Sequence, residues 1–355
     1  MVDDDESIHA IHTALELGIT LFDTADVYGC GHSERVLGRA LAGHRDEVVI
    51  STKFGLRFDE ATRTGAGTDV SPEYVRRACE ASLRRLGTDR IDLYQLHGGA
   101  DDRAAAAGVV EVLEALVDEG KIRFYGTADE TLEIVEAFAD GPHCVAVQQQ
   151  LNVFGGNDEA IAACEDRGLA ALARSPLAMG LLSGKYRPGG PMPADDDVRR
   201  DTPHWDYFDD DAFPTWSARV DAIRAALTSD GRTLAQGALA WIWARSPVAI
   251  PVPGFRSAAQ IEEMPGRWPP GRSIPTRWRR WTLRSDARRA PAERHRIVYA
   301  RNAVFAYLDP GTGSMLVQLL VGGVAAAGVA LKLYWHRILR LLRIRKAEPE
   351  PDRER

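Results

Sequence analysis

Four residues with complementary proton chemistry, Asp23, Tyr28, Lys53 and His97, each stand where an apolar, strand-like run gives way to a loop. Their contexts are Thr20-Leu21-Phe22-Asp23-Thr24-Ala25-Asp26-Val27-Tyr28-Gly29, Ser51-Thr52-Lys53-Phe54-Gly55 and Leu93-Tyr94-Gln95-Leu96-His97. A carboxylate, a phenol, an ammonium and an imidazole tune one another's proton affinity, so together they have the parts of a proton-donating site. Singly, each has a bland reading: a strand-end Asp caps a turn, and a lone His is a satisfied structural residue. Their arrival at three successive strand ends points to one shared site.

The elements that must deliver them are strands alternating with helices, the pattern of parallel strands with helical crossovers. Strands are expected near Thr20–Phe22, Val48–Thr52, Ile91–Leu96, Ile122–Gly126, Val145–Gln148, Leu169–Ala173 and Val248–Pro251. Helices fall near Ser7–Leu17, Ser33–Ala42, Pro72–Leu86, Val109–Glu119, Thr131–Ala139, Asp158–Arg167 and Leu234–Ala244. Ser71-Pro72-Glu73 has the composition of a capped helix start. Repetition of one unit favours a barrel, although periodicity alone leaves a doubly wound sheet open.

These contexts resemble the aldo-keto reductases, NADPH-dependent carbonyl reductases built on a (β/α)8 TIM-type barrel, from about Asp3 to about Glu263. The resemblance implies that Tyr28 protonates a small-molecule carbonyl, Lys53 lowers its pKa, Asp23 pairs with Lys53 and His97 orients the carbonyl. It further implies that Gln148 holds the nicotinamide carboxamide and that Arg174, Ser175, Leu177, Gly180 and Leu181 line the nicotinamide and pyrophosphate. Arg256 and Ser257, at a helix start with Gln260 and Glu263 following, would take the 2′-phosphate of NADPH. Two positions depart from the family pattern: Ala128-Asp129 replaces a Ser-Asn pair, and Met264 replaces an Asn, which predicts weaker cofactor binding. The chain also starts at the first crossover helix, so the expected fold is a barrel lacking its first strand.

Composition limits the alternatives. A chain of 355 residues, 45% hydrophobic, suits one barrel with an appendage. Cys30, Cys79, Cys144 and Cys164 show no pairing or metal-ligand spacing, which reads as free thiols in a reducing compartment. His9 and His12, one helical turn apart without a third ligand, make no metal site. Residues 1–265 carry 25 Lys and Arg against 44 Asp and Glu, which disfavours a nucleic-acid partner, whereas residues 266–355 carry 19 against 7. The acidic excursion Arg187–Trp216 reads equally as a lid or as plain surface loop.

Four units follow: a barrel over 1–265, an Arg/Pro/Trp-rich linker over 266–308, a membrane helix with basic flank over 309–346 and a charged tail over 347–355. Within the third, Met315–Leu331 is apolar apart from Gln318 and about 20 apolar residues suffice to cross a bilayer, so membrane lipid is an expected partner. The C-terminal basic flank alone would put the tail inside and the barrel outside, but Met1–Glu6 is acidic rather than a secretory leader, so the expectation is a barrel on the cytoplasmic face with Ile297–Leu308 dipping into the membrane. Two other classes stay open beside a reductase: a membrane-tethered cofactor-binding module without turnover, and a lyase using Lys53 as a Schiff base.

Overall fold

The computed structural model describes residues 3–194, 197–200 and 205–263, together with the backbone of a strand at Val304–Tyr307. In chain order the strands are β1 (Ile19–Asp23), β2 (Val49–Phe54), the hairpin pair β3 (Leu56–Asp59) and β4 (Thr64–Thr68), β5 (Ile91–Leu96) and β6 (Ile122–Thr127). Then come β7 (Cys144–Asn152), the two-residue β8 (Gly155–Gly156), β9 (Ala170–Arg174), β10 (Ala249–Pro251) and β11 (Val304–Tyr307). The helices are α1 (Asp4–Glu16), α2 (His32–Ala40), α3 (Pro72–Leu86), α4 (Arg103–Asp118), α5 (Leu132–Asp140), α6 (Asp158–Arg167), α7 (Phe213–Leu227), α8 (Leu234–Arg245) and α9 (Ala258–Glu262).

Helix boundaries follow local chemistry. Ser71 Oγ accepts from the Tyr74 amide at the start of α3, Pro72 occupies its first turn, and Gly87 ends it at φ 64°. Asn157 and Gly168 do the same for α6, and Thr233 with Gln236 forms a reciprocal capping box on α8. Every residue of β2 and β5 is buried, as strands covered on both faces require.

The main sheet runs β10-β9-β7-β6-β5-β2-β1-β11, and each neighbouring pair is parallel. Side-chain alternation splits its core in two. One layer, including Phe22, Ile50 and Tyr94, packs beneath the helices, while Leu21, Val49, Leu93, Ala146, Ala170 and Leu172 form a separate apolar cluster. The Gln148 amide on β7 donates to Asp23 Oδ2 on β1 at 3.1 Å although three strands lie between them in the sheet. Only a sheet curled so that these faces meet allows that bond, which makes the second cluster the filling of a TIM-type barrel.

The eighth place on the path corrects two expectations. Val304–Tyr307, read as linker and as part of a dip into the membrane, is instead a strand beside β1. The pairing of Ile19–Asp23 on both edges also replaces the expected open gap. The proposed membrane helix and charged tail, over 309–346 and 347–355, lie outside the described residues. Among the described residues no helix is long and apolar enough to cross a membrane.

The acidic excursion is more than a surface loop where it is described. It sends Tyr207, Phe208 and Phe213 into the core, and Arg199 is clamped between Asp197 at 2.5 Å and the Tyr186 hydroxyl at 2.7 Å. Its end forms the start of α7, which an acidic reading of the sequence does not anticipate.

Gly126 on β6 lies against the backbone carbonyl of Ala146, and a Cβ there would collide with that oxygen. Gly126→Val is therefore expected to destabilise the fold by about 1–3 kcal/mol, seen as a lower urea midpoint with unchanged m-value.

Candidate active site

Above the apolar filling, the next inward positions are polar. Two residues beyond Leu21, Val49, Leu93 and Ala146 come Asp23, Ser51, Gln95 and Gln148, the period that returns a strand to the same face. Asp23 is the hub: it accepts from Ser51 Oγ at 2.7 Å, Gln95 Nε2 at 3.1 Å, Gln148 Nε2 at 3.1 Å and Lys53 Nζ at 2.5 Å. Lys53 also donates to the Thr24 carbonyl at 2.8 Å, and both ions are fully buried. A buried carboxylate survives only when paired and hydrogen-bonded, and here each oxygen has two donors.

Tyr28 stands on the turn that joins β1 to α2. Thr24 and Asp26 donate their amides to the carbonyls of Ser51 and Lys53, stitching the turn to β2. Left-handed backbone at Gly29, Cys30 and Gly31 then swings the chain into α2. The result sets Lys53 Nζ 5.3 Å from the centre of the Tyr28 ring, and the His97 ring 5.7 Å from it, edge to face. The His97 amide donates to Phe54 O at 2.7 Å, so the end of β5 is tied to the end of β2.

The electrostatics leave one ion pair at the centre. Burial pushes the Lys53 ammonium below its ordinary pKa, and the adjacent Asp23 opposes that shift. His97 is pulled down to about 3 by desolvation and then by the positive charges of Lys53 and Arg174, so its imidazole is neutral. Its Nδ1 is enclosed without a hydrogen-bond partner among the described residues. Asp26, also buried, has its pKa raised well above the ordinary 3.8 by desolvation and then by the nearby Glu34. Glu34 itself takes Thr52 Oγ1 and Arg85 Nε, both at 2.6 Å, on the outer face of β2.

The residues expected to hold a cofactor are spread over β7, the end of β9 and the segments that follow β9 and β10. Gln148 is buried, and its amide nitrogen is engaged by Asp23 rather than left for a ligand. Arg174 pairs with Glu130 at 2.7 Å. Ser175, at φ 51°, has its carbonyl held by Asn152 Nδ2, and Leu177 and Gly180 are buried in a turn where Ala178, Met179 and Gly180 all have positive φ. Such runs of strained backbone gather at functional sites. Ser257 caps α9 with no side-chain hydrogen bond to that helix, while Gln260 Oε1 accepts from the Arg256 amide at 2.6 Å and Gln236 Nε2 donates to the Glu263 carbonyl.

Sequence reasoning missed Ser51, Gln95 and Glu130. The first two carried a signal, since each lies two residues before a singled-out residue and so on the same strand face. Glu130 carried none, because its role arises from Arg174, 44 positions away. Glu130 also lines a cavity of about 530 Å³ with Gln150, Phe154, Tyr207 and Trp216.

Comparison with known proteins gives a consistent relationship. The family model described as the Aldo/keto reductase family matches residues 1–268. An uncharacterized oxidoreductase of Bacillus subtilis (strain 168), YqkF, is 34% identical over 183 residues, spanning 51% of this chain and 59% of that protein. The aldo-keto reductase yakc of Schizosaccharomyces pombe, whose name carries NADP(+), is 30% identical over 268 residues, 73% of this chain and 77% of its own length. Among solved structures, the glycerol dehydrogenase AKR11B4 from Gluconobacter oxydans superposes with a TM-score of 0.64 at 29% identity, covering 84% of this chain and 90% of the other.

The neutral His97 has a measurable consequence. Its ordinary pKa of 6.5 in the unfolded chain lies above its folded value of about 3, so the unfolded state binds the extra proton between them and stability falls as pH drops through that window. Urea titrations from pH 7 to pH 3 should show a shallower loss of stability for His97→Asn than for the wild type.

Proposed function

The chain belongs to the aldo/keto reductase family, and from that premise we propose that it reduces aldehyde or ketone carbonyls to alcohols with NADPH. The observation that carries the reading is the convergence of Lys53 on both Asp23, at 2.5 Å, and the ring of Tyr28, at 5.3 Å. Tyr28 is the general acid: its hydroxyl gives a proton to the carbonyl oxygen, and the Lys53 ammonium stabilises the phenolate left behind. Asp23 keeps Lys53 charged and aimed. His97, neutral, offers an imidazole nitrogen as a hydrogen-bonding group toward the carbonyl without adding a competing positive charge.

The residues fit a nicotinamide dinucleotide. His97 Nδ1 is enclosed and unpaired among the described residues, and the Ser257 hydroxyl makes no bond to its own helix. Arg256 and Ser257 would hold a phosphate, with Gln260 fixing the Arg256 backbone and Glu263 closing the turn through Gln236. Ser175, Leu177 and Gly180 would line the pyrophosphate path, and Arg174, steadied by Glu130, would stand beside the nicotinamide. Gln148 serves by holding Asp23, with its carboxamide contact secondary. When bound, NADPH supplies the hydride that reduces the carbonyl carbon.

Replacing the acid tests this directly. Tyr28→Phe should lower kcat for aldehyde reduction by about 10²–10⁴-fold while leaving the NADPH Kd within about twofold, read by NADPH absorbance and fluorescence titration. Wild-type protein that binds NADPH but oxidises none of it across an aldehyde and ketone panel would favour a binding module instead.

A further inference from the structure

The sheet path ends beside β1 with a strand drawn from far along the chain. β11 runs parallel to β1 in the register Ile19↔Val304, Leu21↔Phe305, Phe22↔Ala306 and Asp23↔Tyr307. On its other side β1 pairs with β2 as Leu21↔Val49, Phe22↔Ile50 and Asp23↔Ser51. The backbone of Asp23 is therefore gripped from both edges, by Ser51 and by Tyr307. Without β11 this five-residue strand would be an edge with an unpaired row of amides and carbonyls, open to fraying and to foreign strands.

We propose that β11 is a working part of the active site: by pairing with β1 it fixes the height of Asp23, and through Asp23 the position of Lys53 beneath Tyr28. The register brings the pairing up to Asp23 itself: past a bulge in which only Thr20 separates Ile19 from Leu21 while their partners Val304 and Phe305 are adjacent, Leu21, Phe22 and Asp23 pair one for one with Phe305, Ala306 and Tyr307. Without β11, β1 is held in the sheet by β2 alone, and the backbone that carries Asp23 to its four donors loses one of its two edges. The residues between 263 and 304 are long enough for the crossover that a parallel pair demands. Residues 304–307 thus act through Asp23 as positioning residues, so that a strand lying beyond the family match is required for the chemistry. The catalytic half of this inference rests on the reductase reading; the pairing half does not.

Full-length protein tests both halves. Amide exchange followed by mass spectrometry should show slowed exchange in Val304–Tyr307 and in Ile19–Asp23. In the variant Phe305→Pro/Ala306→Pro, one of two consecutive lost N–H groups must be a ladder donor to β1, because strand amides alternate in direction. Exchange in Ile19–Asp23 should then accelerate and kcat fall by about 10²-fold, with KM for NADPH little changed. The alkaline limb of the pH–kcat profile should move to lower pH, because Lys53 loses part of the carboxylate that opposes its desolvation. Two results overturn the proposal: Val304–Tyr307 exchanging at the unprotected rate in the wild type, or a variant with faster β1 exchange and an unmoved pH profile. Should the wild type reduce no carbonyl, the exchange data alone decide the pairing.

Discussion

A salt bridge with no access to water, Asp23 to Lys53, is the constraint around which the barrel interior is arranged. Removing two ions from water costs several kcal/mol each, and their attraction offsets this only when the remaining donor and acceptor sites are filled. Ser51, Gln95, Gln148 and the Thr24 carbonyl fill them. Those partners come from three strands and a turn, so the pair is satisfied only if the strands are in register and the sheet is curled. The ion pair and the barrel enforce each other: a slipped strand strands a charge, and a lost charge leaves its partners facing one another unmet.

The same arrangement keeps the chemistry simple. Burial and two neighbouring cations hold His97 neutral, and burial with Glu34 nearby raises the proton affinity of Asp26. Arg174 is answered by Glu130. The ammonium over the Tyr28 ring is thus not joined by an imidazolium at His97. On the proposed reading, such a charge in a low-dielectric interior would act on the phenolic oxygen far more strongly than in water and would need no reorganisation as the proton departs.

Much of this was legible in the sequence because strand ends announce themselves. Asp23, Lys53 and His97 follow apolar runs, Tyr28 follows Asp23 at turn spacing, and helices such as α3 and α6 have unambiguous caps. Period-two alternation also held the information that Ser51 and Gln95 share a face with Lys53 and His97. What could not be read depends on partners distant in sequence. The Glu130–Arg174 pair, the Gln148 bond across the barrel and the pairing of β11 with β1 leave no local trace. Val304–Tyr307 lies within the short apolar run Ala303–Leu308 that follows an Arg-rich stretch, and its apolarity suits a bilayer as well as a barrel edge. The helix α7 was hidden by the acidic residues that precede it.

The central claim is that a buried carboxylate keeps a buried ammonium charged beneath a phenol. Labelling lysine side chains with nitrogen-15 and following the Lys53 resonance against pH measures that charge without passing through catalysis. The account predicts an ammonium at neutral pH whose titration midpoint lies below the ordinary 10.5 and drops further in Asp23→Asn. A Lys53 midpoint at 10.5, or one that Asp23→Asn leaves unmoved, would contradict it.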